Sequence, residues 1–183
     1  FTAESSVNKD DAYFLGLFAA EGGANPLGLT TGSKKLVTWV EEYIHRKSGY
    51  KPTVREDKRR PKPVYTILLR NATREAMQGL DHCNAGTKFV PEDVLSADTE
   101  VTASFLAGYF DGDGSVEKGH LAATTKSKQL YEGVAYLLSK LGITSTARER
   151  VVKGSTFYVL HVTGEDRTRL NRLPGKIKEY SYY

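Results

Sequence analysis

Two acidic residues occupy the same place in two similar nine-residue segments of this 183-residue chain. Glu21 is the eighth residue of segment 14–22, and Asp113 is the eighth residue of segment 106–114. Carboxylate oxygens are the ligands that suit Mg²⁺, and Mn²⁺ accepts the same ligands. Two like charges held close together are costly unless a cation lies between them. If the segments meet in space, the pair predicts a divalent-metal site.

The two segments belong to an internal repeat. Segments 14–22 and 106–114 match at an offset of 92 residues, and segment 47–80 matches segment 140–173 at an offset of 93. Duplicated sequence predicts duplicated structure, so we expect two similar halves.

The repeat divides the chain into an N-terminal half, 1–83, and a C-terminal half, 101–183. Between them lies 84–100, whose Gly86 and Pro91 indicate a linker that joins two halves rather than two independent domains. Helical and strand periods of apolar residues follow one another within each half. The chain is therefore predicted to have an α+β fold.

Each acid is predicted to end a buried helix, because the opening helix of each half carries apolar residues on more than one face. Gly16 and Ala20 lie one turn apart in the first helix, as Gly108 and Gly112 do in the second. Small residues permit two helices to approach closely. Packing of the two helices side by side would bring the carboxylates together.

The remaining elements are predicted by capping residues and by alternation of apolar residues. They are helices near 34–47 and 128–141 with Ser33 and Ser127 as N-caps, strands at 63–70 and 156–163, and short third helices that open at Thr73 and Asp166. Each half is thus predicted to have the order αββαββα.

Both nine-residue segments resemble the LAGLIDADG motif of homing endonucleases, and 106–114 is the closer match. The resemblance covers nearly the whole chain. It implies two pseudo-symmetric αββαββα halves with saddle-shaped antiparallel sheets and the two motif helices packed at the central interface. It also implies that the main-chain carbonyls of Ala20 and Gly112 reach the metal together with the carboxylates of Glu21 and Asp113.

The first segment departs from the motif at two positions. Ala19 stands where the sixth letter of the motif is Asp and where the second copy has Asp111. Glu21 replaces Asp at the eighth letter. We expect the first change to be structural, and neither change removes a metal ligand.

Three lysines are candidate catalytic residues, because a cation near the scissile phosphate lowers the barrier without binding metal. Lys88 opens a lysine-apolar-apolar-proline element, 88–91, that resembles the active-site element of intein-type members. Lys176 is its expected pseudo-symmetric counterpart. Lys126 lies at a strand-to-helix junction, where the other half has Gly32.

A net charge of +4 and a basic run over 46–62 favour a polyanionic partner, which the resemblance identifies as double-stranded DNA. Alternation places Tyr65 and Tyr158 towards the core and their neighbours outward. A twisted antiparallel ribbon with outward polar side chains fits the major groove. The predicted DNA contacts are Arg55, Arg59, Arg60, Lys62, Thr66, Arg70, Lys118, His120, Arg148, Arg150, Lys153, His161 and Thr163.

Composition argues against several other classes of protein. No apolar run is long enough to span a bilayer. The single cysteine, Cys83, excludes an internal disulfide and favours an intracellular setting. The four histidines show neither metal-ligand spacing nor a partner for triad catalysis. We expect no membrane partner and no small-molecule substrate.

The resemblance implies cleavage of both strands at a long asymmetric target by a monomer, with short 3′ overhangs. Two alternatives remain: a non-cleaving DNA- or RNA-binding protein of the same fold, such as an intron maturase or regulator, or the nuclease domain of an intein rather than an intron-encoded enzyme. The only methionine is Met77, which suggests excision from a longer precursor. Retention of both acids favours a nuclease. The unequal pairs Ala19 with Asp111 and Gly32 with Lys126 suggest, as a hypothesis, that the two strands are cut at different rates.

Overall fold

The computed structural model describes residues 7–117 and 120–162. Each half opens with a helix that leads into a strand pair, and a second helix and a second strand pair follow. The elements of the first half are α1 (Lys9–Glu21), β1 (Gly22–Ala24), β2 (Leu27–Thr31), α2 (Lys34–Ser48), β3 (Thr53–Asp57), β4 (Val64–Leu68) and the 3-10 helices Asn71–Met77 and Leu80–His82. Those that follow are α3 (Glu92–Leu95), α4 (Thr99–Asp113), β5 (Ser115–Glu117), β6 (His120–Thr125), α5 (Lys128–Lys140), β7 (Ser145–Val152) and β8 (Ser155–Val162).

The strands form two antiparallel four-stranded sheets with the same topology. Their orders are β1-β2-β4-β3 and β5-β6-β8-β7. The second order is the first one with every strand replaced by its counterpart in the repeat. The α+β class and the duplicated architecture predicted from the sequence are therefore confirmed.

Helices α2 and α5 begin where the sequence predicts. The Ser33 hydroxyl accepts a hydrogen bond from the Leu36 N–H, and the Ser127 hydroxyl accepts one from the Leu130 N–H. A side-chain oxygen at this position satisfies an amide that the first turn of a helix leaves without a partner. Helix α2 ends at Gly49, whose φ of 75° suits glycine.

Both sheets bury one face. Ile67 of β4 and Leu121 of β6 are fully buried, as the predicted alternation requires. In the first half, Leu29 and Ile67 lie beside Leu17 of α1 and Leu36 of α2, so the sheet packs against both helices. The central helices α1 and α4 are buried on nearly every side, which explains their apolar sequences.

Two expectations about local structure are refined, and a third is not tested. The helix predicted at Thr73 is a 3-10 helix that runs from Asn71 to Met77. The segment 84–100 contains α3 and the first two residues of α4, so it is not an irregular connection. The helix predicted at Asp166 lies outside the described residues.

Within residues 7–117 and 120–162, no helix is both long enough and apolar enough to cross a membrane.

Candidate functional site

Helices α1 and α4 touch along their backbones at reciprocal positions. A Cβ atom added to Gly16 would lie 2.1 Å from the carbonyl oxygen of Phe105, and one added to Gly108 would lie 2.1 Å from that of Tyr13. Residues 13 and 16 are the repeat counterparts of residues 105 and 108. The two contacts are therefore one contact repeated by the pseudo-twofold axis, and it requires glycine on both helices.

The axis passes close to Ala20 and Gly112, which are also counterparts. A methyl group at position 112 would lie 2.5 Å from the Ala20 Cβ and 3.3 Å from the Glu21 Cγ. Only one of the two helices can carry a side chain here, which explains why one copy has Ala and the other Gly. Glu21 thus lies against the residue that precedes Asp113, so the two acids lie at the same end of the helix pair.

Both helices end without a compensating positive charge in their last turns. A helix C-terminus carries partial negative charge and its last carbonyls lack helical partners. The last turns of α1 and α4 contain no basic residue, and each ends in an acid. By contrast, α2 has His45, Arg46 and Lys47 in its last turn. Two helix C-termini and two acids lie at the same end of the helix pair, which is an electrostatic environment that favours a cation.

The donor set suits a hard divalent cation. Among the described residues, no three His, Cys, Asp or Glu side chains cluster tightly enough to hold a metal by themselves. Mg²⁺ does not need such a cage, because it is commonly bound by one or two carboxylates and completes its shell with water and substrate phosphate. Glu21 and Asp113, with nearby main-chain carbonyls, fit that pattern.

Lys88 is brought to the two acids. Its side chain is buried, with 8% of its surface exposed. Burial lowers the pKa of the Lys88 ammonium below its ordinary value, although the negative charges of Asp113 and Glu21 act in the opposite direction. The Lys88 carbonyl accepts a hydrogen bond from the Ser127 hydroxyl, which caps α5 and fixes the segment.

The other two candidate lysines differ from Lys88. Lys126 is exposed, and its Nζ lies 5.3 Å from the centre of the Phe157 ring. Phe157 belongs to the outer face of the second sheet, so Lys126 reaches over that face. Lys176 lies outside the described residues.

Two tyrosines at the helix interface were missed by sequence reasoning. The Tyr13 hydroxyl donates a hydrogen bond to the Asp111 carboxylate on the opposite helix. The Tyr109 hydroxyl is buried and has no hydrogen-bond partner among the described residues. Burial raises the pKa of Tyr109, and the charge of Asp113 raises it further. The paired differences between the two copies, Tyr13 for Phe105 and Asp111 for Ala19, were the available signal.

The predicted DNA-contacting residues of the first sheet share its outer face. Arg55 pairs with Thr66 in the register of β3 and β4, so both side chains lie opposite the buried Ile67. Arg70 follows β4, and its guanidinium lies 4.5 Å from the centre of the Tyr50 ring.

The second sheet presents a similar outer face. The rings of His120 and His161 lie 6.2 Å apart. Arg148 and Arg150 are exposed. They pair with Val159 and Phe157, which lie on the same face of β8 as His161. Lys118 and Thr163 lie outside the described residues.

Both sheets end in basic hairpins. Lys153 is exposed and occupies the turn between β7 and β8 with a φ of 49°. In the first half, Arg60 and Lys62 are exposed, whereas Arg59 is paired with Asp57 through its Nε at 2.9 Å and a terminal nitrogen at 3.1 Å. The Arg59 guanidinium lowers the pKa of Asp57 to about 2. Arg59 is therefore paired with an acid within the hairpin.

Comparison with known proteins gives a family-model match over part of the chain and a similar fold. Residues 100–173 match the family model of the LAGLIDADG-like domain. The fold is similar to the crystal structure of I-DmoI in complex with DNA and Mn, with a TM-score of 0.66 and 18% sequence identity. That likeness covers 93% of this chain and 98% of the other.

This chain matches only a small part of the length of its curated relatives. The replication factor C small subunit of Methanocaldococcus jannaschii is 27% identical over 179 residues, which are 91% of this chain and 9% of that protein. The elongation factor 2 of Methanopyrus kandleri is 38% identical over 81 residues, which are 43% of this chain and 6% of that protein. The matched stretch thus spans less than a tenth of either relative.

Proposed function

We propose that this chain, which belongs to the LAGLIDADG family, is a homing endonuclease that hydrolyses a phosphodiester bond in each strand of a long asymmetric DNA target. The observation that supports the proposal is the close approach of α1 and α4, two helices that end in Glu21 and Asp113 at the same end of the pair. The cut is proposed to leave short 3′ overhangs.

The proposed metal is Mg²⁺, with Mn²⁺ as a substitute. Glu21 and Asp113 would hold it with the main-chain carbonyls of Ala20 and Gly112. When bound at such a site, a divalent metal supplies an activated water and stabilises the attacking and departing oxygens. The presence of Mn with DNA in the I-DmoI structure supports a divalent metal here.

The lysines are proposed to act on the phosphate. Lys88 carries a cation close to both acids in a buried setting, where its charge is poorly screened and its pKa is lowered by burial. It would stabilise negative charge that develops on the phosphate. Lys126 would contact the phosphate from the outer face of the second sheet, and Lys176 would be the counterpart of Lys88 in the other half.

DNA is proposed to lie on the outer faces of the two sheets, with each half contacting its own side of the cut. The unlike outer residues of the two halves support an asymmetric target and a monomeric enzyme that acts on DNA inside the cell. Arginine reads guanine through two hydrogen bonds, whereas lysines and hairpin arginines bind phosphates. The proposed contacts are Arg55, Arg59, Arg60, Lys62, Thr66, Arg70, Lys118, His120, Arg148, Arg150, Lys153, His161 and Thr163.

A selection followed by a cleavage assay tests this function. Duplexes that bind the purified protein are recovered from a randomised library and then incubated with the protein and Mg²⁺. We expect one cut in each strand at a fixed position of the selected sequence. Tight binding without cleavage in either Mg²⁺ or Mn²⁺ would instead support a binding protein of the same fold.

A second proposal concerns the origin of the chain. Similar stretches occur as a small part of a replication factor and of an elongation factor, whose names share no activity. A segment common to unrelated hosts supports an inserted element, so we propose that this chain is the nuclease part of an intein. Sequencing of the surrounding reading frame tests this. A stop codon directly before and after the segment would count against it, whereas a continuous host frame supports it.

A further inference from the structure

We propose that Tyr13 is a positioning residue for the Asp113 carboxylate, acting through Asp111, and that this one-sided hydrogen bond makes the two cleavage centres unequal. The inference rests on the proposed nuclease function. Tyr13 lies outside both motif segments, on the helix opposite the one that carries Asp113.

The hydrogen bond crosses the interface between the two central helices. The Tyr13 hydroxyl donates to the Asp111 carboxylate, and the two residues are 2% and 0% exposed. The Tyr13 ring is held from its other side by Trp39, with the ring centres 4.4 Å apart in an edge-to-face arrangement. The donor is therefore fixed by packing as well as by its own hydrogen bond.

The mirrored position lacks this interaction. The counterparts of Tyr13 and Asp111 are Phe105 and Ala19, and both are buried. Neither carries a polar side-chain atom, so no hydrogen bond forms there. The hydroxyl and the carboxylate are present together in one place and absent together in the other.

The location of Asp111 connects this pair to the chemistry. Asp111 lies in the last turn of α4, two residues before Asp113. Helix ends fray more readily than helix centres, and the hydrogen bond ties this end of α4 to α1. The equivalent turn of α1, which carries Glu21, has alanine at the matching position. The turn of Asp113 thus carries this hydrogen bond across the helix interface, and the turn of Glu21 lacks it.

Strand-resolved cleavage of a selected target tests the inference. Each strand carries its own label, and single-turnover nicking rates are measured in Mg²⁺. We expect the wild type to cut one strand faster, and Tyr13→Phe to slow that strand about tenfold while the other strand changes much less, since partners of this kind alter activity by roughly 10–100-fold. Mn²⁺ binding to the protein–DNA complex, followed by electron paramagnetic resonance, should weaken in the same variant.

A metal-free measurement follows the helix end itself. The Gly114 N–H closes the last turn of α4 on the Phe110 carbonyl at 2.8 Å, and the Gly22 N–H closes α1 on the Phe18 carbonyl. In Tyr13→Phe, hydrogen exchange should accelerate at Gly114 and not at Gly22. Equal protection of Gly114 in both proteins would contradict the tether.

Tyr43→Phe is the matched control. The Tyr43 hydroxyl also donates to a buried aspartate, Asp11, at 2.7 Å, and its ring also packs on Trp39, but Asp11 lies in the first turn of α1. It should reduce stability to a similar degree and leave the ratio of strand rates unchanged. The double variant A19D/F105Y adds the mirrored pair and should bring the two rates closer together.

The outcomes separate the two proposals. A wild type that cuts neither strand overturns the nuclease function and this inference with it. A wild type that cuts both strands, with Tyr13→Phe slowing both equally as Tyr43→Phe does, overturns only the role of Tyr13. A selective change in one strand that Tyr43→Phe does not reproduce supports it.

Discussion

Removal of the Asp113 carboxylate should separate cutting from binding. Asp113→Asn removes one anionic metal ligand at the end of α4 while keeping the size of the side chain. We expect cleavage to fall by at least a thousandfold and DNA affinity to remain within a few fold, measured by gel assays with Mg²⁺ and with Ca²⁺. Asp98→Asn is the control, because Asp98 caps the other end of the same helix and asparagine caps equally well. Unchanged cleavage by Asp113→Asn would reject its metal role.

We expect Lys88 to lower the free energy of unfolding of the protein although it promotes cleavage. Its ammonium has a lowered pKa because burial disfavours the charged form more than the acids favour it. Replacement by methionine removes that penalty, so Lys88→Met should raise the free energy of unfolding by about 1 kcal/mol, or about 2–4 °C in melting temperature. It should also slow cleavage about 100-fold or more.

The pH dependence gives the sign of the Lys88 effect. Between its folded pKa and the unfolded value near 10.4, the unfolded chain binds more protons at Lys88 than the folded chain does. The wild type should therefore gain stability relative to Lys88→Met as the pH rises through that window. A constant difference in stability across neutral and alkaline pH would contradict the burial effect.

The residues of the site divide into those that the sequence predicts and those that it does not. Glu21 and Asp113 are identified as candidates by their matched places in the repeat, and Lys88 by the resemblance of segment 88–91 to an element of intein-type members. Tyr13 and Asp111 are 98 residues apart in sequence, and their contact depends on how α1 and α4 are rotated against each other. No local pattern carries that rotation, although the repeat shows the paired differences that accompany it.

Among the structural elements, the contact between α1 and α4 is the most sensitive to side-chain size. A Cβ at residue 108 would lie 2.1 Å from the Tyr13 carbonyl oxygen, so Gly108→Ala must push the helices apart. We expect a loss of about 3 kcal/mol in denaturant unfolding, as in overpacked cores. Gly23→Ala is the control: the nearest atom to its Cβ would be 3.8 Å away, so the expected change is within about 0.5 kcal/mol. Equal stability of both variants would contradict the close contact.

The elements themselves were predictable to different degrees. Ser33 and Ser127 predict the starts of α2 and α5, because an N-cap is a local hydrogen bond that one residue determines. The segment that begins at Asn71 forms a 3-10 helix rather than an α-helix. The helix type of this segment depends on its packing against α1 and α2. Apolar periodicity does not distinguish the two helix types over seven residues.

At the scale of the whole molecule, positive charge is distributed to suit a polyanion along the outer sheet faces. The net charge is +4, and some of the basic residues are paired with acids. Arg59 is one of these, held by Asp57 in the first hairpin, whereas Arg55, Arg60 and Lys62 are exposed on the same sheet and its loop. Where a basic residue has an acidic partner, its contribution to DNA binding depends on whether a phosphate can replace that partner.

The salt dependence of DNA affinity should distinguish these residues. Log affinity falls as log salt concentration rises, and each phosphate contact makes this negative slope steeper by about 0.9. Lys62→Ala should make the slope less steep by about 0.9. Asp57→Asn should make the slope steeper by a similar amount, because it releases the Arg59 guanidinium that the Asp57 carboxylate holds at 2.9 Å. The double variant D57N/R59A should then return the slope to the wild-type value.

Lys9→Ala is the control, since it removes one charge at the far end of α1, beside Glu100. An equal effect of Lys9→Ala and Lys62→Ala would mean that net charge alone, and not the hairpin, sets the affinity.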